Sequence, residues 1–181
     1  MKLRDILKEI GFTKKKDFGF PYRRLTGTED AAIFEFSSGE NDYQVWVQRE
    51  ENDGFQEGWI LEIAFAVMEK GPVMFPGHQP GKSRNFEKEV NDPKNMYKVM
   101  NTVVNIAKDE VARLEQEGGQ PVIRIEFEPT KRQVKDKSGI TRDDPNDTRR
   151  ANLYMAYLKK EFPGAQIKST ANKGKIWVDI L

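Results

Sequence analysis

At 181 residues, with no cysteine and a single histidine, the chain excludes disulfides, thiolate metal sites, cysteine nucleophiles and any site built on several imidazoles. Lysine and arginine number 30 against 29 aspartate and glutamate, so the net charge of +1 provides no global field for nucleic acid. Eleven Phe, five Tyr and three Trp supply bulky apolar surface for a core, and the length suits one domain over residues 1–181.

The chain opens on a pattern that predicts a short helix over about residues 2–10. Leu3, Ile6, Leu7 and Ile10 fall at i, i+3, i+4 and i+7, and Gly11 is placed to stop it. This start is charged every few residues and has no apolar stretch of the signal-peptide kind. No run approaches the ~20 apolar residues of a membrane helix, so the expected location is the cytoplasm, with no membrane partner. Phe12 to Thr28 reads as a loop or irregular edge that completes an N-terminal arm over 1–28.

Three strands are expected next, at Ala31–Phe36, Tyr43–Gln48 and Trp59–Met68, joined by polar turns as an antiparallel meander. The third, WILEIAFAVM, is nearly all apolar and suits a central strand covered on both faces. Gly71 to Asn91, with three prolines, three glycines and His78, reads as a long loop.

The best-marked helix spans about 93–117. Asp92 is a good N-cap, Pro93 fits the first helical position, and Met96, Val99, Met100, Val103, Ile106, Ala107 and Leu114 form its apolar stripe. Gly118-Gly119 ends it. Val122–Phe127 alternates as a strand able to pair in parallel across the helical crossover. A second long polar loop, 130–147, leads to a helix over about 148–162 that buries Ala151, Tyr154, Met155, Leu158 and Phe162. A closing hairpin is expected from Gln166–Ser169 and Lys175–Ile180. The fold class is therefore α+β: a mixed, mostly antiparallel sheet of about six strands with the long helix and the C-terminal helix packed on it.

Three short segments of the second half resemble small tailed-phage proteins of unassigned function. They are Val99-Met100-Asn101-Thr102-Val103, Ile125-Glu126-Phe127 and Arg150-Ala151-Asn152-Leu153-Tyr154, within roughly residues 96–158. The element order also resembles the GNAT N-acetyltransferase fold. Asp147, Arg149, Leu153 and Tyr154 fall on the N, R, L and Y of that family's N-x-R-A-x-x-L-Y motif, while Arg150 replaces its alanine.

The GNAT resemblance implies an acetyl-CoA pyrophosphate held by backbone N–H groups at the long helix's N-terminus, around Asn95 and Met96. It also implies Tyr154 as the general acid for the departing thiolate. The stretch Asn91 to Met96 departs from the family pattern, with no glycine, an acidic cap and a proline lacking its donor.

From the residues themselves, Tyr154 equally suits a core position on an amphipathic helix. Glu62, interrupting an apolar strand, suits a buried general base, a carboxylate facing a solvated edge, or one paired with a basic neighbour. His78 reads as an exposed loop histidine. Asp143, Asp144 and Asp147 lack a calcium-loop pattern and read as helix-capping residues, so no metal is expected.

Three functions follow. The first is a non-catalytic phage-type protein on a GNAT-like scaffold, without cofactor, binding a protein partner through Lys131, Arg132, Lys135, Lys137 and Arg142. The second is an acyl-CoA-dependent N-acyltransferase using Tyr154 and Glu62. The third is a nucleic-acid binder working through its basic loops.

Overall fold

The structure is a computed structural model and describes residues 19–52, 54, 57–70, 82–85, 93–128, 133–135, 141–143, 148–171 and 174–180. Its strands are β1 (Tyr22–Gly27), β2 (Ala31–Ser37), β3 (Asp42–Glu51), β4 (Trp59–Lys70), β5 (Lys82–Asn85), β6 (Val122–Phe127), β7 (Gln133–Lys135), β8 (Thr141–Asp143), β9 (Gln166–Ser169) and β10 (Ile176–Asp179). The helices are α1 (Pro93–Gln116) and α2 (Arg149–Glu161). The expected N-terminal helix over 2–10 lies outside the described residues.

Seven strands run side by side in the order β1-β2-β3-β4-β6-β10-β9, and β5 pairs with β4 off that path. Among the described residues every pairing is antiparallel except β4 with β6, which are joined through α1. The α+β class, the meander, the parallel crossover and the closing hairpin are all present.

The strand count exceeds the expected six because three segments expected as loops contain strands. β1 lies in the N-terminal arm, β5 in the 71–91 segment, and β7 and β8 form a separate two-stranded sheet inside 130–147. None of these carries the alternation that marks a half-buried strand. β1, for instance, is exposed at five consecutive positions from Arg23 to Gly27. Its strand form depends on pairing with β2, with a bulge at Leu25.

One face of the main sheet packs on both helices. Phe34 and Phe36 of β2, Val45 and Val47 of β3, Leu61 and Ile63 of β4, Ile125 and Phe127 of β6, and Ile176 and Val178 of β10 share a core with Val103, Ile106, Ala107 and Leu158. The expected stripes of both helices point into it, with Met96 and Met155 only partly buried. β4 is central, as its apolar run suggests, but it is not fully covered on both faces. Ile60, Glu62, Ala64 and Met68 on the opposite side are half-buried.

Polar groups close the flanks of α1. On one flank the Thr102 hydroxyl accepts the Phe20 N–H at 2.7 Å and donates to the Lys98 carbonyl at 2.8 Å. The Tyr22 hydroxyl donates to Asp109, and burial followed by that carboxylate pushes its pKa upward. On the other flank Lys108, only 7% exposed, lies 3.3 Å from Glu161 of α2 with its ammonium over the Phe162 ring. Burial lowers the Lys108 pKa and Glu161 partly restores it.

Two outcomes test this packing. A Cβ on Gly58 would stand 2.5 Å from the Ile123 Cγ2 and 2.8 Å from the Pro121 carbonyl oxygen, which accepts the Trp59 N–H. Gly58→Ala should therefore cost about 1–3 kcal/mol in urea denaturation, as overpacking does; an unchanged midpoint would show that the β4–β6 junction yields freely. For the interhelical pair, Glu161→Ala should destabilise by about 3 kcal/mol because it removes a carboxylate from beside a buried ammonium. Lys108→Met should be near neutral or stabilising, because it removes the desolvated charge. Equal losses in the two variants would refute that assignment.

Candidate functional site

β4 carries one of the two candidate catalytic residues, Glu62, and α2 carries the other, Tyr154; strand geometry decides their relation. Successive side chains point to opposite faces, so Phe65 shares the helix face with Leu61, Ile63 and Val67, while Glu62 points away with Ala64 and Met68. On the helix face, Phe65 stacks on Tyr154 of α2, with ring centroids 5.9 Å apart and planes at 22°. Tyr154 is 5% exposed. It belongs to the core, and the helix stripe that marks it as a core residue is the same stripe that orients it.

Glu62 lies on the other side of the sheet. Its carboxylate accepts from the Lys175 ammonium at 3.0 Å, and Lys175 also reaches Glu126 at 2.8 Å and Glu128 at 3.6 Å. The parallel register sets Glu62 directly beside Glu126. Lys175 bridges carboxylates that would otherwise repel across adjacent strands. Its pKa is raised, first by the hydrogen bond to Glu126, against an opposing contribution from burial. Of the three expectations for Glu62, the geometry matches a carboxylate paired with a basic neighbour. Sequence offers no signal for that pair, since 113 residues separate its members.

The network continues along the same face. The Arg124 Nε donates to Asp179 at 2.8 Å, and its guanidinium sits 5.5 Å from the centre of the Trp177 ring. Lys168 donates to the second Asp179 oxygen at 2.8 Å. Burial pushes the Asp179 pKa up, but the hydrogen bonds from Lys168 and Arg124 outweigh it and hold the carboxyl below its ordinary value.

A feature that sequence reading missed lies on the β6 side of β4. β3 occupies one edge of β4 along residues 59–68. The other edge pairs with β6 up to Ile63 and with β5 from Val67 onward. Among the described residues, no strand pairs with Ala64, Phe65 and Ala66 on that edge. The interruption lies beside the Phe65–Tyr154 stack. Only the register reveals it, because a break in pairing belongs to two strands rather than to one segment.

The remaining candidates are spread over the fold. Asn95 and Met96 sit half-buried in the first turn of α1, which has no acidic residue. Lys135 and Arg142 lie in the β7–β8 hairpin, where Lys135 pairs with Thr141 and Val134 with Arg142. Lys131, Arg132, Lys137, His78, Asp144 and Asp147 lie outside the described residues. Among the described residues no group of three or more His, Cys, Asp or Glu side chains is arranged to hold a metal ion, and no helix is long and apolar enough to cross a membrane. No protein-family model, curated protein or solved structure matches the chain.

The Asp179 geometry predicts a pH dependence. A depressed folded pKa contributes stability that is present above the ordinary value of 3.8 and is lost as pH falls through the folded value. Asp179→Asn should thus melt below the parent at neutral pH, with the gap shrinking below 3.8 in thermal scans. A gap that stays constant into acid would show that Asp179 contributes through packing alone.

Proposed function

We propose that the chain is a non-catalytic protein on a GNAT-like scaffold that binds a protein partner, in keeping with its resemblance to small tailed-phage proteins. One observation carries this reading. The groups an acyltransferase would use as acid and base, Tyr154 and Glu62, lie on opposite faces of the sheet, one stacked in the core and the other held by Lys175. A proton donor and acceptor serving one reaction need hydrogen-bond reach of a shared substrate, and the sheet stands between them. The α1 N-terminus adds to this, since Pro93 offers no N–H for a pyrophosphate.

The β7–β8 hairpin is the recognition element we favour. It forms a two-stranded sheet of its own, and the 130–147 segment brings Lys131, Arg132, Lys135, Lys137 and Arg142 close in sequence. Loops held by a rigid scaffold commonly carry recognition, and this charge suits an acidic protein surface. Near-neutral net charge weighs against nucleic acid as the main partner.

Reversing Lys131, Arg132 and Arg142 to glutamate should leave the melting temperature nearly unchanged, as exposed substitutions typically cost under ~0.5 kcal/mol each. It should also weaken partner binding and reduce its salt dependence. Capture from host lysate with parent and triple variant tests this. Equal recovery of the same protein by both would remove the hairpin from the site, and recovery of nucleic acid alone would replace the reading with the nucleic-acid one.

A second reading, acyl-CoA-dependent N-acyl transfer, draws on two observations. Among the described residues one parallel strand pair lies in an otherwise antiparallel sheet, and β6 and β5 leave Ala64–Ala66 between them beside the Phe65–Tyr154 stack. The two readings separate in a thermal-shift titration, where a ligand at roughly 100 times its Kd stabilises a fold by about 2.7 kcal/mol. No stabilisation is expected at millimolar acetyl-CoA. Saturable binding, with acetyl transfer that is lost in Tyr154→Phe, would make the chain an enzyme.

A further inference from the structure

We draw no further inference here: the strongest candidate, the open cleft of about 340 Å³ where Arg23, Glu35, Asp42 and Met68 meet at one end of the sheet face opposite the helices, carries nothing because the strand register turns the aromatic side chains beside it into the core and nothing in the structure shows what covers it.

Discussion

The parallel pairing of β4 with β6 cannot be made by a tight turn, because the chain must leave one end of β4 and return to the opposite end before β6 begins. α1 is the return path, and most of the structure is arranged around it. A 24-residue helix laid across a sheet has its flanks to close as well as its apolar stripe to bury. One flank is closed by the segment leading into β1, through Phe20, Tyr22 and Arg24. The other is closed by α2, through the Lys108–Glu161 pair and the hydrogen bond from the Tyr157 hydroxyl to Asn101. Thr102, Lys108 and Glu110 are consequently buried, each with a partner that satisfies its polar atoms.

The two faces of the sheet differ in kind. The helix face is an aromatic and aliphatic core in which Phe36 and Tyr43 stack with centroids 4.8 Å apart. The opposite face carries ion pairs across β4, β6, β10 and β9, with Trp46 and Trp177 half-buried among them. A strand with a period of two must serve both faces at once, which is why β4 gives Phe65 to one and Glu62 to the other. That constraint bears directly on function. Tyr154 meets β4 on the face of Phe65 while Glu62 leaves from the other, so the two candidate catalytic groups share no face of the sheet.

The break in pairing at Ala64–Ala66 is a different kind of feature. Among the described residues, the β6 side of β4 is taken up again after Ile63 at Val67, by β5. The neighbouring Tyr154 is held by core packing against Phe65.

Much of the architecture was legible in the amino-acid order. The stripe from Val99 to Leu114, the proline at Pro93, the alternation from Val122 to Phe127 and the apolar run in β4 are local signals, and each places its element correctly. So is the stripe in α2, which identifies Tyr154 as a core residue before any contact is known. Tertiary structure alone decided the rest. The strands with exposed or polar sequences, β1, β5, β7 and β8, exist because a neighbouring backbone pairs with them, and their own side chains do not announce it. The burial of Lys108 and Glu110, the clustering of Glu62 with Lys175, and the division of one β4 edge between β6 and β5 likewise depend on which distant segment arrives alongside. Periodicity records how one segment divides its residues between core and solvent. It holds no information about which partner meets each face, and here that partner determines whether a carboxylate is a free base or half of an ion pair.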